Sequence, residues 1–206
     1  MLDKLKEWDT ALFYAINDAR SNFLDWFFAI ISSHWFFAII VLAFAFSIWK
    51  VRFKFKVLPL IVIVLLVSLC FLFADRISVL CFKDVVERLR PSHALQDVHL
   101  VALRNLQLIY DSKGGLYGFV SSHTANLCCI AVIYAKLSSK KKITVLCLAL
   151  WAVLTAYSRV YCGVHYPMDV ICGGLLGFVL GEIIYYVFSL LDRKYKWNIE
   201  QKEQLF

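Results

Sequence analysis

The sequence predicts an all-α integral membrane protein: a bundle of five or six transmembrane helices with an N-terminal amphipathic interfacial helix. Three observations carry this. Hydrophobic residues make up 61% of the 206-residue chain and charged residues only 18%, with a mean hydropathy of +0.70. A soluble domain carries about 25% charged and about 45–50% apolar residues, and one of this size could not hide the surplus. Several uncharged runs approach or exceed the roughly 20 residues that cross a bilayer, and the basic residues cluster between those runs. A cytosolic globular domain, a coiled coil, collagen and a disordered chain are excluded on the same grounds.

Residues 1–25 mix Asp3, Glu7, Asp9, Asp18 and Asp25 with Lys4, Lys6 and Arg20. Leu2, Leu5, Trp8, Leu12, Ala15 and Ala19 recur at helical spacing, which describes a helix lying in the membrane interface. The segment lacks the basic start and apolar core of a signal peptide. A sixth span through Asn17-Asp18-Ala19-Arg20 would bury charges in lipid. Spans are expected over 26–49, interrupted only by Ser32, Ser33 and His34, and over 57–74, continuing past Asp75 and Arg76 toward Phe82. Residues 83–118 read as a polar outer loop, long enough to carry function and the natural place for headgroup selection. Further spans are expected over 114–135, over 143–158 between Lys142 and Arg159, and over 170–191, with Glu182 its one charge.

Orientation follows from the basic residues. Lys50, Arg52, Lys54 and Lys56, then Lys136, Lys140, Lys141 and Lys142, then Arg193, Lys194, Lys196 and Lys202 fall on one side if five spans alternate. That side is expected to be the cytoplasm. The net charge of +7 then reports topology and contact with anionic phospholipid, with no nucleic-acid partner. The seven cysteines form no CxxC pair and lie mostly inside apolar runs, so they read as soft hydrophobes. No metal site and no cofactor are expected. Residues 1–206 are expected to form one domain.

Three polar clusters fall on the opposite face. The first runs from Lys83 to Arg90-Pro91, where Pro91 biases Arg90 out of helical geometry; on a continued helix Lys83 and Arg90 would point the same way. The second is Val120-Ser121-Ser122-His123 at the start of a span. A hydroxyl cap and free backbone N–H groups there make a ready anion site. The third is Ser158-Arg159 followed by His165 and Asp169, four apart, so that the carboxylate can take the imidazole N–H and fix its tautomer. Each cluster alone also fits an interfacial collar, a plain cap or a loop histidine. Together they supply three cations, two histidines, a carboxylate and a helix N-terminus, which suits capture of a tetrahedral oxyanion and attack on it by imidazole.

Lys83-x6-Arg90-Pro91, Ser121-x-His123 and Ser158-Arg159-x5-His165-x3-Asp169 resemble the three-part signature of the type 2 phosphatidic acid phosphatases, the PAP2 superfamily, shared with vanadium haloperoxidases. The family's usual Pro-Ser-Gly-His stands here as Val120-Ser121-Ser122-His123. The resemblance implies a membrane phosphatase acting without a metal. His165 would be a nucleophile forming a phosphohistidine, oriented by Asp169, and His123 would protonate the leaving oxygen. Lys83, Arg90, Ser121, Ser122 and Arg159 would hold the phosphoryl oxygens. Expected substrates are lipid phosphates: undecaprenyl diphosphate, phosphatidylglycerophosphate or phosphatidic acid, alternatively lipid A. The expected location is a bacterial inner membrane with the site on the periplasmic or extracellular side. A non-catalytic lipid-phosphate carrier would need the cations but not an oriented imidazole.

Overall fold

The structure, a computed structural model, describes residues 2–197 and 199. Helix α1, Leu2–Asn17, presents two faces. Leu5, Trp8 and Leu12 point outward, while Asp9, Phe13 and Asn17, spaced by four and so on one side of the helix, are buried. The helix therefore docks through a largely polar face and leaves its apolar stripe for lipid. Ala19 lies beyond the helix end.

The expected span over 26–49 is two helices, α2 (Asn22–Ile31) and α3 (His34–Val51). Ser21 caps α2 by accepting from Leu24 N at 3.2 Å. Ser33 then stops the ladder: its hydroxyl donates to Ile30 O at 2.7 Å and accepts from Phe36 N at 3.2 Å. Adjacent serines offer backbone groups alternative partners, and hydropathy alone does not register that.

Helix α4, Val57–Ile77, continues through a π-helical turn, Ser78–Lys83, into the short α5, Asp84–Val86. Glu87 adopts φ 50° and ends it, so Lys83 and Arg90 do not share a continued helix. Arg90 is extended (φ −66°, ψ 156°), as a residue before proline must be, and Pro91 opens the single turn α6, Pro91–Ala94. The outer segment also holds strands β1 (Ala102–Arg104) and β2 (Gln107–Ile109), paired antiparallel with Ala102 opposite Ile109. The bundle is helical as expected, and this small hairpin is an addition in the outer segment; its turn residues Asn105 and Leu106 both have positive φ, as tight two-residue hairpin turns require.

Helices α7 (Ser122–Leu137), α8 (Lys141–Tyr161) and α9 (Pro167–Tyr195) complete the chain. Residues 114–121, expected to begin a span, instead run beside residues 88–90: Arg90 N donates to Leu116 O at 3.0 Å and Gly118 N to Arg88 O at 2.8 Å. Among the described residues, four helical stretches are long and apolar enough to cross a membrane: His34–Val51, Val57–Val86, Lys142–Tyr161 and Pro167–Tyr195. The 16-residue α7 is shorter and sits at the centre of the bundle, packed by α3, α4, α8 and α9.

Helix α9 meets α7 along Gly173, Gly177 and Gly181. A β-carbon on Gly177 would stand 2.1 Å from Ala125 O, and one on Gly173 2.5 Å from Ser121 O. Small residues four apart let backbones approach this closely in membranes. At the far end, Arg52 donates to Leu137 O at 2.5 Å and also to Ile199 O. The loop after α3, the end of α7 and the tail after α9 thus come together, which places the described basic segments at one end; Lys202 lies outside the described residues. Glu182 pairs with Lys136 of α7 at 3.0 Å. All seven cysteines are unpaired.

Candidate active site

At the opposite end, the top of α4, the first turn of α7, the end of α8 and the start of α9 converge. Lys83 Nζ donates to Ser122 Oγ at 2.8 Å. Ser122 therefore contributes its side chain as well as its backbone. Ser121 occupies the N-cap position of α7 but makes no side-chain cap. Its hydroxyl accepts from Thr124 Oγ1 at 3.2 Å, and its N–H is held by Asp169 O at 2.9 Å. Arg90 is anchored by Nε to Tyr117 O at 3.2 Å, and its side chain lies against the backbone of Gly114 and Gly118. A β-carbon on Gly118 would stand 2.9 Å from Asp169 Oδ2 and 3.2 Å from Arg90 Cγ, so a side chain there would push one of these two site groups aside.

Arg159 donates through Nη1 to Ser32 Oγ at 2.5 Å, while its Nε is buried without a partner. An oxyanion would satisfy that open donor. His165 is buried, with Arg90, Arg159 and Lys83 all close enough to act on it. Burial first, and then those three positive charges, hold its pKa well below the usual 6.5, so the imidazole is neutral with a free lone pair at neutral pH.

The predicted His165–Asp169 hydrogen bond is not formed. Asp169 Oδ2 lies 3.5 Å from His165 Nδ1, too far, and His165 Nδ1 has no hydrogen-bond partner. Oδ2 instead accepts from Tyr166 N at 3.0 Å. Asp169 is the N3 residue of α9 and closes a capping box on Tyr166. The i, i+4 spacing straddles a helix start, and the cap claims the carboxylate. Catalytic hydrogen bonds that are long in an unliganded site tighten when substrate binds.

Sequence reasoning missed three residues. Arg88 donates to Asp169 Oδ1 at 3.0 Å from 81 positions away, and to Asp9 Oδ2 at 2.6 Å; nothing in its local sequence sets it apart from the other polar residues of the outer loop. His34, which in the sequence only interrupts the apolar run 26–49, brings its ring centroid to 4.9 Å from that of His123, because the α2–α3 break turns it toward the site. His99, in the outer segment, bonds through Nε2 to Asp25 Oδ1 at 2.8 Å and pins that segment to α2. Asp75 and Arg76 are exposed on α4. Beside His123 and Arg159 opens a pocket of ≈ 470 Å³, walled by Ser32 and His34 on one side and by Arg104 and Leu106 of the hairpin on the other. Among the described residues no cluster of His, Cys, Asp or Glu could hold a metal ion.

A bundle of membrane-crossing helices that gathers three cations, two histidines and a helix N-terminus at one end defines a membrane enzyme built to handle a phosphoryl group. The sequence model of the PAP2 superfamily matches residues 65–193, and the chain belongs to that family of membrane phosphatases, which are phosphoric ester hydrolases. It is 32% identical to a lipid A 4'-phosphatase of Porphyromonas gingivalis over 91% of this chain and 75% of that one. It is 31% identical to phosphatidylglycerophosphatase B of Bacillus subtilis over 59% of this chain and 55% of that one. Among solved structures, Aquifex aeolicus LpxE superposes with a TM-score of 0.59 at 29% identity, covering 86% of this chain and 94% of the other. A transmembrane PAP2 type phosphatidylglycerolphosphate phosphatase from Bacillus subtilis shares the fold, with a TM-score of 0.67 at 23% identity over 92% and 89% of the two chains.

Proposed function

We propose that this membrane lipid phosphatase works through a phosphohistidine, and the observation that carries the reading is the buried, neutral His165 facing Arg90, Arg159 and Lys83. Lys83, Arg90 and Arg159, with the Ser121 hydroxyl and the Ser122 N–H, hold the phosphoryl oxygens. The His165 imidazole attacks phosphorus as the lipid–oxygen bond breaks, and His123, which takes up a proton once the negative phosphate sits beside Arg159 and offsets its charge, gives that proton to the leaving oxygen. Asp169 orients His165 and steadies the charge it gains. Water then attacks phosphorus and breaks the P–N bond, with His123 taking its proton, and phosphate leaves. Opposed charges aimed at developing oxyanions supply the largest share of such catalysis.

The site lies on the periplasmic or extracellular side of a bacterial inner membrane, a placement supported by the basic segments at the other end. Undecaprenyl diphosphate, phosphatidylglycerophosphate and phosphatidic acid fit the chemistry. Lipid A is favoured by two observations. Relatives matched over 91% of this chain are lipid A 4'-phosphatases, and the pocket beside His123 is large enough for a headgroup beyond the phosphate itself. Purified protein in lipid nanodiscs, assayed for phosphate release from all four lipids, tests this. Release from at least one of them, abolished by His165→Ala, is expected. No release from any lipid, or wild-type release by His165→Ala, overturns the mechanism.

A further inference from the structure

Behind the catalytic pair, Arg88 lies between two carboxylates brought from opposite ends of the chain. Nη1 reaches Asp169 Oδ1 at 3.0 Å and Nη2 reaches Asp9 Oδ2 at 2.6 Å. The side chains of Asp9 and Asp169 are 3% and 0% exposed, and that of Arg88 25%. The guanidinium also rests 3.9 Å over the Tyr166 ring. The other Asp9 oxygen accepts from Met168 N at 2.9 Å and so satisfies an open N–H of α9. Arg88 is thus fully engaged away from the phosphate site. A planar fork holding two carboxylates is a task for arginine that lysine's point charge does not match.

We infer that Arg88, braced by Asp9, is a positioning residue that holds Asp169 behind His165, so that the seating of α1 sets the geometry of the catalytic pair. The inference rests on His165 being the nucleophile. With Oδ1 tied to Arg88 and Oδ2 to Tyr166 N, Asp169 is held against rotation and needs only a small movement to meet His165. Arg88 also balances the Asp169 charge, which would otherwise pull a proton onto His165. The other groups facing His165 are Arg90, Arg159, Lys83, the Gly118 backbone and, across the site, His123; Asp169 is also faced by Arg90 and Lys83.

Two substitutions then act with opposite sign. Arg88→Gln leaves Asp169 uncompensated, favours the imidazolium, and moves the acid limb of kcat/KM to higher pH by about one unit. Asp9→Asn frees the Arg88 charge to act wholly on Asp169 and moves the limb to lower pH. Arg88→Gln should also lower kcat about 10–100-fold, as for groups that orient an active residue from behind, with KM little changed. In an Asp169→Asn background the same change should cost almost nothing, because coupled residues are not additive. The experiment is a pH series on wild type, Arg88→Gln, Asp9→Asn, Asp169→Asn and Arg88→Gln/Asp169→Asn, with melting temperatures. Limbs that shift in the same direction or not at all, or an equal Arg88→Gln loss in both backgrounds, would overturn the inference. If Arg88→Gln does not fold, the direction of the Asp9→Asn shift decides. His165→Ala on the same substrate separates the two readings: full activity there removes the nucleophile assignment itself, whereas an inactive His165→Ala with no opposed shifts removes only the role of Arg88.

Discussion

Gly177→Ala tests how tightly the two halves of the active site are held to each other. The first turn of α7 carries Ser121, Ser122 and His123, and the start of α9 carries Asp169 just after His165. The two helices are registered by glycine contacts directly beneath. The added β-carbon would stand 2.1 Å from Ala125 O where ordinary contact begins at 3.4 Å, so the backbones must part by about 1.3 Å. In an exposed helix, Gly→Ala stabilises by about 1 kcal/mol. Here overpacking should reverse the sign and cost about 1–3 kcal/mol. A displacement near 1 Å between reacting groups can cost about 100-fold in rate, so kcat should fall by about that factor. Gly174→Ala, one turn earlier on the same helix, is the control: its β-carbon meets Cys128 Sγ at 3.5 Å and Thr124 Cγ2 at 3.7 Å, which is ordinary contact. It should leave kcat unchanged and raise the melting temperature slightly. Phosphate release and thermal unfolding, measured in the same nanodiscs, read both quantities. If Gly177→Ala matched Gly174→Ala in rate and stability, close helix contact would not be what aligns the site.

In the proposed mechanism a general acid matters most for a poor leaving group, so His123→Ala should cost about 10²–10⁴ on an alkyl phosphomonoester. It should cost less on a diphosphate and least on p-nitrophenyl phosphate; equal losses across the three would make His123 a phosphate binder only. For pH, the folded pKa of His165 is depressed. Its lone pair is therefore kept as pH falls through 6.5 and lost only below, and the acid limb of wild-type kcat/KM should lie under the ordinary histidine range. A limb at or above 6.5 would contradict the neutral, buried nucleophile.

Much of the molecule was legible along the chain. Composition and run length set the membrane class, because lipid tolerates few charges and a helix rises by a fixed amount per residue. Lysine and arginine placement separated the two ends, and motif spacing picked out Lys83, Arg90, Ser121, Ser122, His123, Arg159, His165 and Asp169, which the fold does bring to one end. Local spacing also misled. The Ser32-Ser33 break, the hairpin at 102–109 and the claim of the α9 cap on Asp169 all turn on where backbone donors and acceptors find partners, and hydropathy and i, i+4 counting do not see that. The Arg88–Asp9–Asp169 chain and the His34–His123 contact were beyond reach for a different reason. Their members are separated by tens of residues, and no periodicity connects α1 to α9 or the α2–α3 break to α7. The tertiary structure decided them because carboxylates buried against helix ends must be satisfied by whatever cation the packing delivers. That partner is chosen by how the helices dock.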